Sequence, residues 1–443
     1  MSGSSPIGRI VERTRLLAAV QAAADGRGSL VLLSGEAGIG KTRLVEDVLS
    51  EGELRFLRAA ATPAGSPYGP VTAALRAYLR EAPGGLDDCG PLCEQLAVLL
   101  PELGAAGPIE DPAALVEAIR CALVKIAEER PTALLLDDLQ WSDEATLELL
   151  AALAPGLSET SLLIIAAYRS DELPRAHPLR RLRTDLRRDR RLVDVTLEPL
   201  TDREVAELVG MLLEEDASPR LVTTLHDRAG GNPFFVEELT LALADADRIA
   251  PGPDGLQLAL DADVPLPTTV RDAVLVRTSA LSDRARAAAE VAAVAGYRFD
   301  LGSFARIGGD GVTELLGAGL IVEEADGWAA FRHPLVRDAI YEDIPWLRRS
   351  ELHRVVAEQL ESESGDRGEV AAHWLAARDT SRALDALLAA IDERARVHAH
   401  RDATRLGRQA LELWPQGERN DERIAALEAH AAHAELAGDL TEA

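Results

Sequence analysis

An apolar run, Leu30-Val31-Leu32-Leu33, passes almost directly into Gly35-Glu36-Ala37-Gly38-Ile39-Gly40-Lys41-Thr42, and helix-forming residues follow. Few folds contain a strand that breaks into a glycine-rich turn and restarts as a helix. The glycines let the backbone close around an anion, so that its N–H groups and the first turn of the helix face that charge. The pattern G-x-x-x-x-G-K-[ST] in this context is that of a phosphate-binding loop. Gly35, Gly38 and Gly40 are expected to shape the cradle, Lys41 to reach the β- and γ-phosphates, and the Thr42 hydroxyl to ligand Mg²⁺.

A second element is needed beside such a loop. The run Leu134-Leu135-Leu136 ends in Asp137-Asp138. A buried strand ending in an acid brings a carboxylate to the phosphates. Asp137 is the candidate for holding Mg²⁺ through water, and Asp138 for orienting or deprotonating the attacking water. A strand ending in a solvated acidic turn would have the same sequence. Arg169 follows the next apolar run, and neighbouring strand ends in a parallel sheet converge on the ligand crevice. An arginine there can contact the γ-phosphate and report its presence. A surface arginine at a strand end would read identically.

The first ~195 residues alternate β-rich runs with helical stretches, the signature of a parallel sheet covered by helices. Candidate strands are 30–34, 55–60, 133–137, 162–168 and 192–197. After Thr201 β-type runs nearly vanish, and Thr201-Asp202-Arg203-Glu204 forms a capping-box helix start. Residues 249–266 read as a turn-rich connection containing a small hairpin. Helices are expected over 268–295 and 311–319, then a β pair over 320–331 turning at Ala325-Asp326-Gly327. Helix, helix, hairpin is the order of a winged helix. From 350 onward the chain is helical and Ala-rich.

Composition narrows the partners. The 443 residues suffice for about three domains. A net charge of -27 makes the whole chain repel nucleic acid and anionic membranes, so DNA binding would need a local surface or another domain. The longest apolar runs fall far short of the ~20 residues that span a bilayer, and no leader-like segment opens the chain, which points to the cytoplasm. Three cysteines are too few for a disulfide scaffold, and Cys89 and Cys93 find no metal-site companions, so reduced thiols are expected. Eight arginines lie between Arg175 and Arg191, but Leu179, Leu182 and Leu186 recur at helical spacing among them. A solvated helix face fits better than a nucleic-acid patch.

Taken together, these residues resemble the STAND class of P-loop switch ATPases, and more narrowly the large ATP-binding transcription regulators of the LuxR type. Gly8 and Arg9, with Glu12 after them, are similar to the family's adenine-side segment. Residues 35–44, including Arg43, match its phosphate loop, and LLLDDLQWSDEATLELL, with Trp141 and Asp143, matches its second acidic motif. Gly231-Asn232-Pro233-Phe234-Phe235 resembles the segment that sets a proline, here Pro233, against adenine. Phe331-Arg332-His333 resembles the winged-helix segment whose histidine touches ADP, although Pro334 stands where many relatives have Asp. Ala403, Ala410 and Pro415 resemble a TPR-type repeat helix and its closing proline, with Gly438 and Asp439 entering the next repeat.

The resemblance implies an α/β P-loop NTPase, a parallel sheet with helices on both faces, over 1–198. An all-α lid over 199–262, a winged helix over 263–349 and TPR-like helical repeats from 350 would follow, the repeats continuing past residue 443. It implies ATP/ADP and Mg²⁺ as cofactors, with Thr42 and Asp137 on the metal. It also implies an inducer at the repeats, self-association in the ATP state, slow hydrolysis and DNA contact only through a domain outside this chain. A motor ATPase of the AAA type, or the regulatory module of a kinase or cyclase, would carry many of the same residues.

Overall fold

The apolar runs become the strands of one sheet: β1 (Ser29–Gly35), β2 (Arg55–Ala60), β3 (Thr132–Asp137), β4 (Leu162–Arg169) and β5 (Leu192–Thr196). The computed structural model describes residues 7–87, 89–105, 112–189, 191–259, 269–279, 281–308, 311–324, 327–363, 365–415 and 419–439. The strand order is β2-β3-β4-β1-β5. Pairing is parallel from β2 to β3, from β3 to β4 and from β1 to β5, with Leu134 opposite Leu57 and Ile164. β3 and β4 are buried along their whole length, as all-apolar strands covered on both faces must be. All five expected strands are present, with ends shifted by a residue or two.

Two compact units interleave along the chain. One gathers residues 11–34, 44–196 and 360–443, and the other gathers residues up to 10, 35–43 and 197–359. The first unit contains the sheet and the helices that alternate with it: α1 (Ile10–Ala24), α2 (Lys41–Ser50), α3 (Gly69–Glu81), α4 (Pro112–Glu129), α5 (Glu144–Leu153) and α6 (Pro178–Arg188). Its core combines Leu30 and Leu32 of β1 with Leu75 and Tyr78 of α3, Ile119 and Leu123 of α4 and Leu149 of α5. In α6, Leu179, Leu182 and Leu186 are buried while Arg181, Arg187 and Arg188 point to solvent. The arginine run is therefore a solvated helix face; its Arg190 lies outside the described residues.

The expectation of reduced thiols needs one correction, because Cys89 and Cys93 are joined in a disulfide. The turn before the short helix Cys93–Val98 brings their Cα atoms to 5.6 Å, within bridging range. Cys121 is free.

The second unit holds α7 (Asp202–Leu213), α8 (Pro219–Ala229) and α9 (Pro233–Asp245), packed around Leu208, Leu225, Val236 and Leu239. The capping box at Thr201 and Glu204 forms as its sequence required. A hairpin, β6 (Ile249–Gly252) and β7 (Gly255–Leu258), occupies the start of the turn-rich connection; residues 260–266 of that connection lie outside the described residues. Then come α10 (Val270–Ser279), α11 (Asp283–Ala295), β8 (Arg298–Asp300), α12 (Leu301–Ile307), α13 (Val312–Gly317), β9 (Ile321–Glu323), β10 (Trp328–Phe331), α14 (Pro334–Asp343) and α15 (Trp346–Ser362). β10 is the centre of an antiparallel sheet ordered β8-β10-β9. The β pair expected over 320–331 is β9 and β10; Ala325 and Asp326 at its turn lie outside the described residues. β8, only three residues long, left no alternation to read.

Back in the first unit, α16 (Arg367–Ala376), α17 (Thr380–Arg396), α18 (His400–Leu413) and α19 (Asn420–Leu436) pack each on the next. Of the segment after Pro415, residues 416–418 lie outside the described residues, as does Ala443. α18 also packs on α5, where the buried Asp402 accepts a hydrogen bond from the Ala145 N–H at 3.4 Å. No helix among the described residues is long and apolar enough to cross a membrane.

Candidate nucleotide-binding site

β1 leads into the loop because Gly35, Gly38 and Gly40 all take positive φ, which other residues resist. Gly38 is also required by space. A Cβ there would come within 2.9 Å of Asn232 Oδ1 and Phe234 Cβ. Lys41, the first residue of α2, is buried and donates through Nζ to the carbonyls of Gly35 and Glu36 at 2.9 and 2.8 Å. That folds the ammonium back over the loop, the position from which it can meet phosphate oxygens. Thr42 follows at the helix start, half-buried.

The second unit closes around this loop. Asn232 caps α9, its side chain accepting from the N–H groups of Phe234 and Phe235. Its Nδ2 donates to the Ala37 carbonyl at 2.8 Å, and the Phe234 N–H donates to the Gly38 carbonyl at 3.3 Å. Gly8 takes φ +69°, and a Cβ on it would strike the Glu204 carboxylate of the capping box. Arg9 then reaches the carbonyls of Glu198 and Ile39. Ile7, Leu200, Leu208 and Pro233 line a pocket beside the loop, together with Arg9, Arg43 and Glu237. Arg43 pairs with Glu237 at 2.9 Å, and Arg332 approaches the same carboxylate at 3.7 Å.

His333 also belongs here. Its backbone is extended and its Nδ1 accepts from the Leu335 N–H at 3.1 Å, capping α14. The ring stacks on Phe234 with centroids 3.9 Å apart, and its Cε1 would lie 3.4 Å from a Cβ on Gly38. Gly8, Arg9, Gly35, Gly38, Gly40, Lys41, Thr42, Arg43, Pro233 and His333 therefore all lie in one unit.

The acids are in the sheet unit. Asp137 ends β3, is buried, and accepts from the Asp138 N–H at 3.0 Å, while Arg58 lies 3.8 Å from its other oxygen. Asp138 takes a left-handed conformation that turns the chain sharply at the strand end. Its Oδ1 accepts from Gln140 Nε2 at 2.9 Å and from Arg169 Nε at 3.2 Å. Arg169 is buried, pairs with Glu172, and lies over the Trp141 ring with its guanidinium carbon 4.8 Å from the centroid. The charge of Asp138 is thus balanced by a fixed arginine, and Gln140 ties both strand ends together by accepting from the Arg169 N–H. Asp143 caps α5 through Thr146 and accepts from the Tyr68 N–H. Burial, with the Asp402 charge added, pushes its carboxyl up to about 6.

Sequence reasoning passed over Asn232, Phe234, Glu237, Gln140 and Arg58. Asn232 and Phe234 stand inside a motif read for its proline, and an N-cap Asn before Pro was a signal that could have marked the first. Gln140 and Arg58 carry no local signal, since only the sheet register brings them beside the acids.

Residues 5–165 match the family model of the AAA ATPase domain. The N-terminal part of the chain is accordingly similar to a P-loop ATPase domain. The chain is 25% identical, over 89% of its length, to an uncharacterized protein of Rhizobium meliloti (strain 1021), and spans 41% of that protein. Among solved structures it is similar to a signal transduction ATPase with numerous domains (STAND) protein with a tetratricopeptide repeat sensor from Pyrococcus horikoshii. That match has 12% identity and a TM-score of 0.46, covering 99% of this chain and 75% of that one. A Walker-type ATPase of Pyrococcus abyssi is 15% identical with a TM-score of 0.40, covering 77% of this chain and 99% of that one.

Proposed function

We propose that the protein is an ATP/ADP-dependent switch of the STAND type, serving transcription control as in the LuxR-type regulators it resembles. One observation carries the reading: the phosphate loop is bonded through Ala37 and Gly38 to Asn232 and Phe234, with His333 stacked on the latter. A loop held this way can pass the state of a nucleotide to the segments that follow it. The proposed division is an NTPase core over 1–198, a helical lid over 199–262, a winged helix over 263–349 and TPR-like repeats from 350.

In this reading Arg9 and Pro233 flank the base, while Gly8 lets the chain turn against the lid. Lys41 and the loop N–H groups take the phosphates. Thr42 and Asp137 would hold Mg²⁺; a hydroxyl and a carboxylate are the hard oxygen donors that this ion takes along with waters and phosphates. The metal, when bound, neutralises charge developing on the phosphates. Asp138, paired with Arg169, orients the attacking water, and Arg169 senses the γ-phosphate. ADP favours the closed arrangement through His333. An inducer and ATP shift the population to an open form that self-associates in the cytoplasm, DNA being reached through a domain outside this chain. Slow hydrolysis resets the switch.

The test is steady-state turnover together with light scattering in ADP and in ATP, with Lys41→Ala as control. Slow turnover, assembly only in ATP and loss of both nucleotide affinity and assembly in Lys41→Ala are expected. Fast turnover stimulated by a substrate would replace the switch by a motor. Parental nucleotide affinity in Lys41→Ala would remove the site itself.

A further inference from the structure

Within the sheet unit, a cavity of about 290 Å³ opens between the start of α3 and helix α17 of the C-terminal array. It has room for a metabolite of roughly ten heavy atoms. Apolar walls come from Val98, Leu99 and Val397. The polar groups on it divide into those already matched and those left over. Arg394 is buried and committed to both oxygens of Asp366 and to the Gly65 carbonyl at 3.0 Å. Arg76 is committed to Glu102 and to the Leu99 carbonyl, both at 3.0 Å.

Three groups remain. Arg396 forms no ion pair among the described residues. The Thr72 hydroxyl is fully buried yet has no hydrogen-bond partner. A buried hydroxyl left without a partner is destabilising unless something answers it. Glu393 accepts from the Arg367 N–H but reaches a side-chain cation only at 3.5 Å, in Arg394, whose guanidinium is already taken by Asp366.

We propose that this cavity binds a small zwitterionic metabolite of the amino-acid class. Its carboxylate is taken by Arg396 and the Thr72 hydroxyl, and its ammonium by Glu393. Burial, with Asp366 nearby, pushes the Glu393 carboxyl up, so a cation placed there relieves an existing cost. The ligand touches the segment after β2 and the helical array at once. Resting on the switch reading, this makes it the inducer, and by reciprocity its binding changes ADP affinity by the same factor that ADP changes its own.

The experiment is calorimetry on the full chain with each of the twenty standard amino acids as probe. Succinate and inorganic phosphate serve as anion-only arms and putrescine as the cation-only arm. At least one amino acid should bind, and Arg396→Ala and Glu393→Gln should each weaken it tenfold or more. The exposed Arg396 can be replaced without unfolding, which circular dichroism checks, and ADP affinity without amino acid should stay parental in both variants. Lys41→Ala should lose nucleotide and keep the amino acid, so failure of the switch reading is seen separately from failure of this site. The proposal is overturned if no amino acid binds, if succinate, phosphate or putrescine binds as tightly, or if both cavity variants bind like the parent. Binding that leaves ADP affinity unchanged overturns the inducer role.

Discussion

Asn232 uses one amide for two purposes, and a pair of substitutions separates them. Its Oδ1 caps α9 by accepting from the Phe234 and Phe235 N–H groups at 3.2 and 3.4 Å, and its Nδ2 holds the Ala37 carbonyl at 2.8 Å. In a planar trans peptide the next N–H points opposite to the carbonyl. Fixing the Ala37 oxygen toward the lid therefore aims the Gly38 N–H the other way, into the loop. Asn232→Ala removes both functions. The cap contributes roughly 1 kcal/mol and a neutral hydrogen bond about 1 kcal/mol, so urea unfolding should show a loss of about 2 kcal/mol. Serine caps as well as asparagine but cannot donate to Ala37, so Asn232→Ser should lose only about 1 kcal/mol. Both variants should bind ADP about fivefold more weakly by calorimetry, the equivalent of about 1 kcal/mol. If Asn232→Ser binds ADP like the parent while Asn232→Ala does not, the tether to Ala37 has no part in holding the loop, and the argument fails.

Asp137→Asn should weaken Mg²⁺-dependent nucleotide binding, whereas Asp138→Asn should spare binding and slow hydrolysis; calorimetry with and without Mg²⁺, beside single-turnover rates, separates them, and the reverse pattern would exchange the two roles. His333→Ala should speed ADP release by roughly five- to a hundredfold, as expected for losing about 1–3 kcal/mol, and His333→Asn, which keeps the α14 cap, should show the same off-rate in stopped flow. His353 is buried against Tyr341, and burial first, then Arg337 and Arg349, lowers its pKa from 6.5 to about 4. The folded state then binds fewer protons than the unfolded one between those values. Stability is full above pH 6.5 and is lost as pH falls toward 4, by up to about 3 kcal/mol. His353→Gln should flatten that part of the pH profile of urea unfolding.

Legibility in the sequence followed the range of the interactions involved. The central strands β3 and β4 could be read because each is a short apolar run whose burial on both faces leaves no polar alternation. The capping box at Thr201 and Glu204 could be read because its partners are three residues apart. Cys89 and Cys93 were misjudged because pairing depends on the turn that sets their Cα separation, and no composition argument supplies that distance. β8 was missed because three residues have no period, and its strand character comes from lying beside β10.

The sequence by itself determined the phosphate loop, the acids ending β3 and the alternation of strand and helix, since each is a local pattern whose chemistry acts over a few bonds. Only the tertiary structure decided that Asn232 grips Ala37, that His333 stacks on Phe234, and that Arg169 balances Asp138. Those pairs join residues 31 to 195 positions apart or unite separate helix starts. Their geometry depends on how apolar faces pack and how strands register, and neither is encoded in the neighbourhood of any single residue.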